Sequence, residues 1–285
     1  MAFIFSSPLS TTVASTLINS QKGAVGGLAP LDGDAKVPVA NLPPASTGYP
    51  PGYLDGLQLT RTGARTLSIA VGSARNSAGT ANLALAIPAA IDLDAAVGPG
   101  GLDTGTVAAN TMYHIYALAS NGIASLSSSA PTGQTSYRRI GAIRTDASSD
   151  ILQGYWRGNG RTRRFYYATI TDATILTAGV STSFAVVSAA AFVPSGAMQV
   201  GLSAFVVKTS APEFATALSV SIVPNGGVET QSSPFLYYDN VSAALATHEV
   251  ELMQHAVLSS DQELKYVVGA DNAVDLYVVW YDMEL

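Results

Sequence analysis

From residue 54 onward, apolar and polar residues alternate in short runs bounded by Gly, Pro, Asn or Ser, the pattern of half-buried β-strands. Leu57, Leu59 and Arg61 alternate with Gln58 and Thr60, and residues 66–76 and 80–90 each read as one strand. After a glycine-rich loop, residues 111–119 set Tyr113, Ile115, Ala117 and Ala119 against His114, Tyr116 and Leu118, while Ile140, Ile143 and Ile151 are apolar anchors further on. The C-terminal part predicts strands over 164–170, 182–190, 198–208, 217–224, 233–239, 250–258, 262–269 and 275–285. Turn signals every ~8–12 residues suit a β-sandwich or jelly roll. Residues 241–248 are the one helical rival in that half.

Residues 22–44, KGAVGGLAPLDGDAKVPVANLPP, break the alternation and show no helical stripe either. Their glycines allow turns, and Pro30, Pro38, Pro43 and Pro44 fix φ and remove donors, so the run is expected to be extended and bent. Val25, Leu28, Leu31, Val37, Val39 and Leu42 are small apolar anchors along it, suited to lying on another surface. On composition alone a flexible linker is the competing reading. Residues 1–21 are Ser/Thr-rich with a weak helical stripe over 11–19 (Val13, Leu17, Ile18), and residues 43–53 form a Pro/Gly/Tyr hinge.

Composition sharpens this in two ways. Charged residues make up 12% of the 285, about half the usual ~25%, which points to surface hidden in an oligomer. The chain has no cysteine, so neither a disulfide framework nor a thiolate metal site is available. The net charge of −6 is unevenly spread: residues 1–165 hold 12 Lys/Arg and 8 Asp/Glu (+4), and residues 166–285 hold 2 and 12 (−10). This charge break suggests a domain boundary near 165, and an acidic distal half disfavours nucleic-acid binding there. No run approaches the roughly 18–20 apolar residues of a membrane-spanning helix, and the N-terminus lacks the positive region of a secretory leader. Heptads and collagen-type repeats are absent, so no long fibrous shaft is expected.

The run 28–43 resembles a motif of tail fibres and other receptor-binding proteins of tailed bacteriophages, through Leu28, Ala29, Leu31, Asp32, Gly33, Lys36, Val37, Pro38, Leu42 and Pro43. The family often has Gly directly before the Lys; here that residue is Ala35. A second resemblance covers roughly 54–165. GLDTG (101–105), the aromatic strand 113–116 and YRRIGAIRTD (137–146) look like a β-domain of phage fibre and baseplate proteins. The resemblance implies a virion component made in the host cytoplasm, a homotrimer, and partners among tail or baseplate proteins. It also implies a bacterial surface glycan or protein receptor.

Seven arginines (Arg138, Arg139, Arg144, Arg157, Arg161, Arg163, Arg164) interleave with Tyr137, Tyr155, Trp156, Phe165, Tyr166 and Tyr167. Guanidinium groups on phosphates and rings on bases would make this a nucleic-acid surface. Arginines stacked on rings and reaching carboxylates would make it structural, and the acidic half that follows directly favours that reading. His248 and His255 in HEVELMQH are seven apart, not the four that a zinc-protease helix needs. Asp239, Glu249, Glu251, Asp261 and Glu263 are scattered acids, not a defined glycosidase pair. No nucleophile elbow or phosphate loop appears, and GNGR at 158–161 reads as a turn. In the loop 223–240, Gln231, Tyr237, Tyr238, Asp239 and Asn240 have the rings, amides and acids that sugar recognition uses, although the same rings would also fill a trimer core.

The expectation is therefore an all-β chain: an attachment arm (1–53), a β-domain (54–165) and an acidic C-terminal β-sandwich (166–285). Leu28, Leu31, Asp32, Lys36, Val37, Pro38, Leu42 and Pro43 would dock it on the particle. It would adsorb to a host surface without catalysis, cofactor, metal, nucleic acid or membrane insertion. A purely structural baseplate or capsid-decoration part and a polysaccharide depolymerase are the alternatives.

Overall fold

In the computed structural model, burial alternates along several strands, Thr66–Ile69, Asn82–Leu85, Thr162–Tyr167 and Glu263–Val268 among them, so that each of these buries one row of side chains and leaves the other more exposed. The structure describes residues 48–158, 160–208, 220–224, 254–257, 261–268 and 272–285. Apart from one 3-10 turn, Ile170–Ala173, every regular element in them is a strand. The eight residues expected to dock the chain and the five expected to bind a receptor lie outside the described residues, as do the expected helices over 11–19 and 241–248.

The first strands form two three-stranded antiparallel sheets. One has the order β1 (Leu54–Gly56), β4 (Gly72–Arg75), β5 (Asn82–Leu85), and the other β2 (Leu59–Arg61), β3 (Thr66–Ile69), β6 (Ala89–Asp92). The runs 66–76 and 80–90 thus hold two strands each rather than one. In the first, the chain crosses between sheets at Gly72, where a Cβ would sit 2.3 Å from the Leu57 backbone nitrogen, so only glycine permits the approach. In the second, exposed Ile87 and Pro88 interrupt the ladder, because proline has no N–H to give it.

β7 (Met112–Ala117) lies between β8 (Gly122–Ser125) and β9 (Arg138–Arg144). Both its faces are buried, not one. Tyr113, Ile115 and Ala117 join the main core, while Tyr116 on the other face packs with Leu118, Ile123 and Tyr137. A central strand covered on both sides is near-continuously apolar, as MYHIYA is.

The largest sheet has the order β10 (Gly154–Arg157), β11 (Thr162–Tyr167), β18 (Asn272–Glu284), β14 (Ala197–Lys208), β16 (Gln254–Val257). β12 (Thr174–Gly179) continues along the same edge of β18 as β11, beyond the 3-10 turn: Thr162–Tyr166 pair with Glu284–Trp280, then Thr174–Gly179 with Tyr277–Val274. A further small sheet has the order β13 (Ala185–Ser188), β17 (Glu263–Val268), β15 (Val220–Pro224).

β18 is therefore flanked on both sides over its length, and a register shift against β14 changes the parity of its core-facing residues, which are Val274, Leu276 and Val278 and then Tyr281 and Met283, continued by Leu285, with buried Trp280 on the other face. One core cluster runs from Leu54 to Leu285 and holds Ile140, Trp156, Phe165, Leu264, Val278 and Tyr281 alike. The cut expected between 165 and 166 falls inside β11, whose partner is the C-terminal strand. The charge break at that point marks two oppositely charged segments laid side by side.

Candidate functional site

The sequence picks out the arginine–aromatic run 137–167, and the fold brings all of it to the seam around β9, β10, β11 and β18. Alternation along β11 sorts it. Arg163, Phe165 and Tyr167 point inward, Arg164 and Tyr166 outward.

Arg163 is almost fully buried, and among the described residues no carboxylate pairs with it. Its Nη1 donates to the carbonyls of Leu57 at 2.7 Å and Ile140 at 3.1 Å, and its Nη2 to that of Gly56. Burial pulls its pKa down to about 10, which leaves it charged at neutral pH. Arg138 donates to the Leu285 and Gly52 carbonyls, and Arg139 to those of Ser128, Ser195 and Glu284. Arg144 reaches the carbonyls of Asn110 and Ala191 with its guanidinium 4.3 Å from the Phe192 ring centroid. These arginines donate to carbonyls of several loops and of β1, β9 and β18, a cross-linking role in a chain without disulfides.

On the outward face, Arg164 makes a bidentate pair with Asp282, both contacts 2.7 Å, and lies 3.6 Å from the Trp280 ring centroid. The hydrogen bond to Asp282 raises the Arg164 pKa further. Arg161 pairs with Glu284 at 2.7 Å. Among the described residues these arginines thus find mainly carbonyls of the same chain as acceptors, with the carboxylates of Asp282 and Glu284 beside them.

Arg157 differs. It is exposed, pairs with no carboxylate and donates no hydrogen bond among the described residues; its guanidinium carbon lies 5.3 Å from the Tyr155 ring centroid and 6.0 Å from that of Tyr166. The two tyrosines face each other across β10 and β11, stacked at 5.0 Å and 14°. Among the described residues β10 ends the sheet, with no strand hydrogen-bonded along its other side. Register aligns two rows on this face: Tyr155, Tyr166, Trp280 and Gly201 in one, Arg157, Arg164, Asp282 and Gln199 in the next.

A second polar cluster escaped sequence reasoning. Buried Asp103 accepts from Ser125 Oγ at 2.7 Å and from the Thr132 backbone N–H at 2.9 Å, tying the 130–132 turn to β8. Its signal was GLDTG, read for resemblance instead of for a carboxylate in a turn. His114 lies opposite Ser125 across the ladder, and its Nδ1 has no hydrogen-bond partner. Ser125 bonds to Asp103 without an imidazole between them, so the trio does not make a nucleophile–base relay.

Burial, helped by nearby Arg139, lowers the His114 pKa to about 4. The unfolded chain should protonate near 6.5, so between 6.5 and 4 it binds the extra proton. Stability is therefore full above pH 6.5 and lost as pH falls toward 4, by up to about 3 kcal/mol. Urea midpoints between pH 7 and 4.5 should fall steeply in the parent protein and more gently in His114→Gln; equal slopes would remove His114 as the cause.

Of the remaining candidates, Asp261 is exposed and Glu263 half-buried, while Asp239, Glu249, Glu251 and His248 lie outside the described residues. Among the described residues no three His, Asp or Glu side chains come together as a metal site. No model of a known protein family matches the chain, and no curated protein matches it.

Proposed function

We propose that the chain is a virion appendage protein of a tailed bacteriophage, a tail fibre or receptor-binding protein that holds to the particle through residues 1–53 and adsorbs to a bacterial surface through its β-structure. The observation that carries this reading is the order of parts. The fibre-like motif of residues 28–43 directly precedes an all-β unit that begins at Gly48. A homotrimer fits the low charged fraction and the apolar side chains left exposed, Ile87, Val97, Leu126, Val180 and Val186 among them. The β-rich architecture with several small sheets is compatible with sandwich-type modules. Threefold assembly would turn a weak site into useful avidity.

Deleting residues 1–45 is expected to leave 48–285 folded with an unchanged melting temperature, and to reduce incorporation into particles to background on an immunoblot of purified virions. Immunogold labelling of the parent protein should decorate tails. Normal incorporation of the deletion, or label absent from virions, would overturn the reading.

A further inference from the structure

We propose that Tyr155, Tyr166 and Arg157 form a binding site for an acidic saccharide, the carboxylate going to Arg157 and the sugar ring to the exposed face of Tyr155. This deepens the adsorption role above and rests on it for its biological meaning, though not for its chemistry.

Among the described residues, Arg157 is the one arginine whose donors meet no acceptor. Every other arginine among the described residues donates to a backbone carbonyl or a carboxylate. Arg157 carries five N–H donors in a fork matched to a carboxylate, and nothing on the described protein takes them. Its guanidinium lies beside the stacked tyrosine pair, 5.3 and 6.0 Å from the two ring centroids, and its hydrogen-bonding edge is not used by them.

The tyrosines supply the second half. Tyr155 is 47% exposed although its inner face is stacked on Tyr166. Among the described residues no strand pairs along the outer side of β10, and the exposure of Tyr155 lies beyond its stack on Tyr166. Tyrosine faces carry negative charge density that attracts the slightly positive C–H groups of a pyranose ring. A rigid stacked pair loses little entropy on binding.

Charge chooses the ligand. Arg164 is balanced by Asp282 and Arg161 by Glu284, so one unmatched positive charge remains on this face. A nucleic acid would need several cations for its phosphates and would meet the two carboxylates. One carboxylate beside one ring, the repeat of an acidic polysaccharide, meets one guanidinium beside one tyrosine.

The test is affinity electrophoresis of the full chain through gels holding polygalacturonate, polysialate or alginate, with fully methyl-esterified polygalacturonate as the neutral counterpart. Retardation is expected with at least one acidic polymer and not with the ester. Arg157→Gln and Tyr155→Ala should each weaken it about tenfold or more, with circular dichroism unchanged, while Tyr155→Phe should bind like the parent. No retardation by any of the three polymers would overturn the site, as would retardation unaffected by Arg157→Gln. Equal, Arg157-dependent retardation by a single-stranded oligonucleotide would overturn it in favour of a nucleic-acid surface. Because these gels contain no particles, a negative result leaves the immunogold result standing, and unlabelled virions leave the saccharide site standing.

Discussion

Removal of residues 272–285 should leave no folded 48–285 unit. β18 buries Val274, Leu276, Val278, Trp280, Tyr281 and Met283, each at most 1% exposed. At roughly 1.5–3 kcal/mol per large buried side chain, the loss is on the order of 10 kcal/mol. That is comparable to the whole ~5–15 kcal/mol stability of a typical domain. The ladder loss compounds it, since β11, β12 and β14 would all lose the same partner. The same reasoning condemns a truncation after residue 165, which cuts β11 and strands β10 beside it. Circular dichroism and limited proteolysis of both truncations should show unfolded chains. A cooperatively melting fragment 1–165 would show that the N-terminal sheets are independent of β18.

That expectation differs from what sequence alone suggests, and the reason is physical. Period-two alternation reports which face of a strand is buried, so β7, β14, β17 and β18 were legible from it. It does not report which strand lies alongside. Tyr281 has the alternation of any strand residue, yet its hydroxyl donates to the Ala142 carbonyl at 3.1 Å, 139 residues away. Short strands were missed where the signal was thin: β1 has three residues, LDG, and β12, TILTAG, bends through two register shifts against β18. The charge break at 165 was legible, but its meaning depends on pairing. Opposite charges in two sequence halves are as consistent with adjacent strands as with separate domains, and Arg164 and Asp282, one from each half, pair across β11 and β18.

The same limit applies to the candidate site. Composition named Arg157, Tyr155 and Tyr166 within a larger basic cluster, but could not separate them from Arg163 one hairpin turn away. The sorting came from strand parity and sheet position: odd-numbered Arg163 faces the core, and Arg157 sits on the outermost strand.

Gly201 illustrates a third kind of information, since a Cβ there would lie 2.1 Å from the Trp280 indole nitrogen. The sequence offers only a glycine inside a strand, which usually marks a bulge or a close approach. Both occur here: the register against β18 shifts between Gly201 and Leu202.

Arg163→Met is expected to cost about 3–5 kcal/mol, because it takes the donor from up to three buried carbonyls at roughly 1–3 kcal/mol each, less the desolvation that the cation no longer suffers. Methionine matches the stem in length and removes the charge, so the core is not emptied. What it leaves behind are the carbonyls of Gly56, Leu57 and Ile140, which lose the donors that tie β2's approach to β9. Each unsatisfied buried acceptor costs roughly 1–3 kcal/mol, partly offset by relief from holding a guanidinium in a site that lowers its pKa. Arg163→Lys keeps the charge but not the fork, and one ammonium cannot reach three carbonyls with the same geometry, so it should fall between the two. Urea unfolding at pH 7 measures the series; a domain of this size should lose about 10 °C in melting temperature with methionine. The opposite result, methionine equal to or above arginine in stability, would mean that desolvating the cation outweighs its three hydrogen bonds. Arg163 would then be retained for the register of the strands it joins rather than for the free energy it contributes.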